Sequence, residues 1–265
     1  MSVLKNKRNT AFSEFERQAM NLVKYTKERL NRLPSRYEYF ILPRIYNPIN
    51  KALAELIFAN EIYGFNETSR KKRNEHFQTA VWCLQNTQKP LFSAWNILDI
   101  EEESSLNWAN KINIVIALIR GVTKWNKREM PMIIPLPKKK MQKLEFLKTM
   151  GELHLYTYKK IGHAPRYCRD TLSSEIAMFI DTALYEIIIA NYKQPTTKAE
   201  AQARAEHLQA AIDNLNGLQR PLLALWLIQD YSENEMNDWS GLIDKELKLL
   251  EGLKKSDAAR FKNLK

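Results

Sequence analysis

Between residues 143 and 160, apolar side chains fall at Leu144, Leu147, Leu153 and Tyr156, spacings close to the helical period. Residues 167–191 carry Leu172, Ile176, Phe179, Ile180, Ala183, Leu184 and Ile187, again three or four positions apart. Pro195-Thr196-Thr197 then breaks the pattern, and Thr197 with Glu200 has capping-box spacing. A third helix is therefore predicted from about Lys198 to Trp226. Ser232 and Glu235 repeat that spacing and open a fourth helix through Leu250, which Gly252 is expected to stop. Nowhere does the chain alternate with the period of a strand.

The same pattern occurs twice. LQNTQKPLFSAW at residues 84–95 returns 131 positions later as LNGLQRPLLALW. Outward from this pair, Glu14-Phe15 matches Glu145-Phe146 and Tyr25-Thr26 matches Tyr156-Thr157. Ala52 to Glu55 with Ala59-Asn60 matches Ala183 to Glu186 with Ala190-Asn191. Asp99, Trp108, Ile112 and Gly121 recur as Asp230, Trp239, Ile243 and Gly252. The offset is 131 throughout, except 130 at Arg36-Tyr37 and Arg166-Tyr167, so one residue is lost and another gained nearby. A match of this length reads as a tandem duplication. Pro90 and Pro221 should kink the third helix at equivalent points, with Trp95 and Trp226 closing the core beneath. In the first copy Pro43 and Pro48 fall inside the second helix, which is expected to bend or start late. Glu101, Glu102 and Glu103 open the fourth, where negative charge suits the helix dipole.

Between the copies lies NKREMPMIIPLPKKKMQK, whose three prolines favour an extended strap. The expected architecture is all-α: two tandem four-helix bundles, residues 1–125 and 144–265, joined by a Pro/Lys-rich linker at 126–143. A single eight-helix domain with fused cores is the alternative.

Composition adds to this picture chiefly through charge. The chain of 265 residues has a formal net charge of +11. Residues 1–140 hold 24 Lys and Arg against 13 Asp and Glu, whereas residues 141–265 hold 17 of each. One side suits a polyanion and the other is neutral. Two cysteines, Cys83 and Cys168, stand far apart and fit buried thiols in a reducing compartment. No apolar run reaches membrane-spanning length and the N-terminus lacks a secretory segment, so a cytoplasmic protein is expected.

Catalytic signatures are missing. His76, His154, His163 and His207 show no ligand spacing, so neither a metal nor a cofactor is expected. No phosphate loop, nucleophile elbow or Cys–His pattern occurs, which points away from an enzyme. The tryptophans mostly suit helix packing. Arg70, Lys71, Lys72 and Arg73 form a dense cluster near the start of the third helix, where the second copy has Ala-Gln-Ala-Arg. Arg29, Arg32, Arg36 and Arg44 surround the first turn, interleaved with Tyr37, Tyr39 and Tyr46, and Lys138, Lys139 and Lys140 end the strap. Cations beside stacking rings are what RNA binding requires; a solvated face is the plainer reading.

Pro165-Arg166-Tyr167 followed by Ala183 to Asn191, with Pro34 to Tyr37 and Ala52 to Asn60 as the divergent copy, resembles a known family. It is the accessory variability determinant family of diversity-generating retroelements, related to the ribosomal-RNA intervening-sequence proteins. The resemblance implies a non-catalytic, basic four-helix bundle that forms a homo-oligomer. It also implies binding to a reverse transcriptase and its template RNA in a ribonucleoprotein that supports mutagenic cDNA synthesis. Here two bundles replace one, and only the first is basic. A structural or scaffold protein of phage or bacterial origin, with protein partners only, is the rival expectation.

Overall fold

Helix-capping chemistry sets out most of this architecture. The structure, a computed structural model, describes residues 2–62, 66–98, 100–123, 144–192, 194–228 and 231–264. Every regular element among them is helical. In the first copy these are α1 (Ser2–Leu30), α2 (Ser35–Glu61), α3 (Glu67–Asn86), α4 (Gln88–Leu98) and α5 (Glu102–Thr123). In the second they are α6 (Glu145–Gly162), α7 (Arg166–Cys168), a π-helical turn (Arg169–Ser173), α8 (Ser174–Tyr192), α9 (Lys198–Gly217), α10 (Gln219–Ile228) and α11 (Glu233–Arg260).

Equivalent residues cap equivalent helices. The Asn66 side chain accepts the Ser69 N–H at 2.8 Å, and Thr197, its repeat mate, accepts the Glu200 N–H at 3.2 Å. Ser232 and Glu235 close a full capping box on α11. The long third helix is broken in both copies just before its proline. At Thr87 and Leu218 the chain makes a three-residue turn, and the Leu91 and Leu222 amides then bond back to Thr87 O and Leu218 O. Pro90 and Pro221 thus sit in the first turn of a new helix, where a missing N–H is tolerated. Gly217, the last residue of α9, leaves room for the Phe179 ring, which a Cβ there would approach to 2.6 Å.

One expectation is narrowed and another corrected. α2 runs unbroken from Ser35 to Glu61 with Pro43 and Pro48 inside it, so it does not start late. α11 passes through Gly252 and ends at Arg260, because the flanking Leu250, Glu251, Leu253 and Lys254 are good helix formers. The offset change is explained too. Four residues, 31–34, link α1 to α2, against three, 163–165, linking α6 to α7. The residue lost from that connection is regained in the π turn, whose wider ring holds one residue more than an α-turn.

Packing separates the chain into two compact units. One comprises Met1–Ala94 with Glu103–Pro135; the other comprises Trp95–Glu102 with Leu136–Lys265. The end of α4, from Trp95, belongs to the second unit. Within the first unit, α2 packs on both α1 and α3. Trp108 on α5 donates its indole N–H to Thr26 Oγ1 on α1 at 3.1 Å. Within the second unit α6, α8, α9 and α11 each pack on two others and close a cycle. There Trp239 donates to Thr157 at 3.0 Å, the repeat of the Trp108–Thr26 bond. Both indoles are buried to within 1%. Trp95 is also buried, but its mate Trp226 is 38% exposed and does not close a core.

Candidate nucleic-acid interface

α3 begins with a local contradiction. After the Asn66 cap and Glu67, the helix places Arg70, Lys71 and Lys72 in its first turns, all exposed. The unpaired amides and dipole at a helix N-terminus favour negative charge, so this cluster repels the helix end it sits on. An anion relieves both at once, because the cations and the helix end attract the same group. α9 has Lys198 and Glu200 in its first turn, and Ala201, Gln202 and Ala203 stand where the cations would be.

The fourth member of the cluster behaves differently. Arg73 is half-buried, with its guanidinium 5.4 Å from the centre of the Phe77 ring. Its repeat mate Arg204 is buried and structural. Arg204 donates through Nε to Asp257 Oδ2 at 2.6 Å and through Nη1 to the Ala190 carbonyl, tying α9 to α8 and α11. Arg73 therefore occupies a packing position, and the outward cluster is Arg70, Lys71 and Lys72.

The arginines around the first turn divide in a similar way. Arg29 is half-buried with its guanidinium 4.9 Å from the Tyr25 ring centre. The equivalent Lys160 lies over Tyr156 and also pairs with Glu235, so this cation–ring contact belongs to the shared fold. The lysine holds the Glu235 carboxyl down at about 2. Arg32 is exposed, and Arg36 is exposed with its guanidinium 4.7 Å from the buried ring of Tyr37. Arg44, inside α2, is half-buried. Tyr167, the mate of Tyr37, is 69% exposed, so the recurring Arg-Tyr pair has no common packing role.

These two basic groups do not converge. His76 on α3 touches Glu55 on α2, so the start of α3 lies near the end of α2, while Arg36 lies at its start. From Arg36 to Glu55 the helix rises by roughly 28 Å. The first unit carries two separate patches, one at each end of α2. Lys138, Lys139 and Lys140 lie outside the described residues.

Three polar features escape a sequence-only reading. His76 Nδ1 lies 2.6 Å from Glu55 Oε2, and His207 Nδ1 lies 2.6 Å from Glu186 Oε2. Both partners recur at the offset of 131, which was the available signal; the pairing joins adjacent helices in both copies and is structural. In the second unit His154, Tyr158 and Asp181 are all fully buried. The Tyr158 hydroxyl donates to Asp181 at 3.0 Å, and His154 Nε2 lies 3.0 Å from Asp181 Oδ1. The first copy has Val23, Lys27 and Asn50 instead. Finally, Glu246 on α11 is fully buried, and neither carboxyl oxygen has a hydrogen-bond partner among the described residues. Burial pushes this carboxyl up to about 8, with neighbouring Lys245 pulling the other way.

Among the described residues no three His, Cys, Asp or Glu side chains gather into a metal-binding group. No described helix is long and apolar enough to cross a membrane. No protein-family model, curated protein or solved structure matches the chain.

Proposed function

We propose that this chain is a tandem duplication of a four-helix bundle, with a Pro/Lys-rich linker, acting as a non-catalytic RNA-binding accessory protein. In this reading the first copy holds template RNA, and the neutral second copy docks on a reverse transcriptase in a cytoplasmic ribonucleoprotein. The observation that carries it is the outward cluster Arg70, Lys71 and Lys72 on the N-terminal turns of α3, present in one copy only. Each lysine or arginine that neutralises a phosphate releases a counterion, which makes affinity fall with salt. Arg32 and Arg36 form a second contact at the other end of α2, more than about 28 Å away, a span suited to a folded RNA. The link to reverse transcription rests on the resemblance of Pro165 to Tyr167 and Ala183 to Asn191.

The test is binding of a labelled structured RNA at several salt concentrations. Replacing Arg70, Lys71 and Lys72 together by alanine should weaken binding at least tenfold at low salt. It should also flatten the salt slope by about 2, near 0.7–0.9 per lost phosphate contact. An unchanged affinity and slope would remove the assignment. A protein-only scaffold is the second reading, favoured by the exposed apolar side chains of α10. Protein that binds no RNA at low salt, yet captures a protein partner through α10, would establish it instead.

A further inference from the structure

The two copies treat one helix in opposite ways. On α4, Leu91, Phe92, Ala94 and Trp95 are all buried to within 1%. On α10, the mates of Phe92, Trp95 and Ile97 are Leu223 at 52%, Trp226 at 38% and Ile228 at 48% exposed. Leu227, the mate of Asn96, reaches 77%. A groove of about 450 Å³ runs beside this face between α10 and α11, lined by Leu223, Trp226, Met236 and Asn237 and rimmed by Glu233 and Asp244. Contiguous exposed leucine, isoleucine and tryptophan is the signature of an interaction surface.

The structure also shows what the end of α4 rests on. Trp95–Glu102 packs as part of the second unit. There Asn96 donates to the Gly151 carbonyl on α6 at 3.2 Å and lies 3.1 Å from His154 Nδ1. The repeat mate of α6 is α1. On α1 the mate of Gly151 is Met20, 54% exposed. The mates of the fully buried His154 and Tyr158 are Val23, half-buried, and Lys27, exposed. Met20, Lys24 and Lys27 follow helical spacing, so α1 presents an open stripe, apolar at Met20 and cationic at Lys24 and Lys27. Its charge is opposite to that of the Glu233 and Asp244 rim.

We infer that the Trp226–Leu227–Ile228 face of α10 docks on the Met20 stripe of α1 in a second copy of this chain. The contact repeats between chains the seat that Asn96 takes on α6. It is heterologous, so each chain keeps one donor face and one acceptor face and assembly proceeds head to tail. The inference rests on the duplicated fold and is independent of RNA binding.

The experiment is light-scattering mass measurement on the full chain, freed of nucleic acid, at rising concentration. The wild type should form species of at least twice the 31.1 kDa chain mass. Leu227→Asp, which spoils the donor, and Met20→Asp, which spoils the acceptor, should each run as monomers. Both sites are exposed, and an unchanged far-UV circular dichroism spectrum confirms that each variant is folded. Mixing the two should give a dimer that cannot extend, because each supplies the half the other lacks. A wild type that remains monomeric up to several hundred micromolar overturns the inference. So does a variant that still assembles, or a mixture that stays monomeric.

Discussion

The first copy fills the position equivalent to Glu246 with Val115, fully buried, while the second puts there a carboxyl with no hydrogen-bond partner among the described residues. The second copy also buries the His154–Tyr158–Asp181 network, where the first has Val23, Lys27 and Asn50. The surface contrast runs the other way: the first copy carries Arg70, Lys71 and Lys72 outward, where the second has Ala201, Gln202 and Ala203. One fold thus tolerates large changes at single positions, provided the pieces both copies share are kept. Those pieces are the Trp–Thr bonds, the His–Glu pairs, and the helix breaks at Thr87 and Leu218.

The largest effect expected from breaking this comparison is at the paired arginines. Arg204→Ala leaves Asp257 buried without its cation and should cost about 3–5 kcal/mol. Arg73→Ala, at a half-buried position beside the Phe77 ring, should cost less, roughly 1–2 kcal/mol. Denaturant unfolding of both variants measures the difference; equal losses would show that Arg73 is as deeply committed as its mate.

Glu246 comes next. Its folded carboxyl holds a proton up to about 8, whereas the unfolded chain releases it near the ordinary carboxylate value. Its contribution to stability is therefore complete below the ordinary carboxylate range and is lost as pH rises toward 8. Glu246→Val, which copies the first repeat, should abolish this slope and stabilise the chain above pH 8 by on the order of 1–4 kcal/mol. Thermal unfolding between pH 4.5 and 9 reads it; identical profiles for variant and wild type would contradict the buried, protonated carboxyl.

A smaller effect should follow from copying in the other direction. Ala201→Arg, Gln202→Lys and Ala203→Lys together place the cluster on α9 and should raise RNA affinity at low salt about threefold to tenfold, by adding phosphate contacts. Titration of the same labelled RNA tests it. Thr26→Val and Thr157→Val each leave one buried indole N–H unpaired. Each should cost about 1–2 kcal/mol. Similar values at the two sites would confirm that the bonds are equivalent, and a twofold disparity would show that the cores have diverged around them.

Much of the helical order was legible because it rests on local rules. Ser232 with Glu235 gave the start of α11, and Pro90 and Pro221 marked the breaks. Gly252 misled because glycine stops a helix only when the chain then turns away, and here the next residues favour continuing. Trp226 misled because a duplicated residue need not keep a duplicated environment; its burial depends on what covers α10. The basic cluster was visible as charge, but the inward turn of Arg73 required its helix face and the example of Arg204. The separation of the two basic patches required the antiparallel run of α2 and α3, which no residue pattern states. Glu246 was hidden because its neighbours Lys245, Leu247 and Lys248 make it look like any solvent-facing carboxylate.

The π turn at Arg169–Ser173 has a consequence for how this chain can change length. An extra residue in a continuous α-helix rotates everything after it by about 100°, swinging an apolar stripe away from its neighbours. Here the rotation is absorbed within five residues, and Ile176, Ile180 and Ile187 still reach the interior. The turn works as a phase corrector: it separates the number of residues in the helix from the direction its side chains face. A one-residue deletion inside it should convert the segment to plain α-helix, leave the core in register, and return the second copy to the geometry that α2 already has.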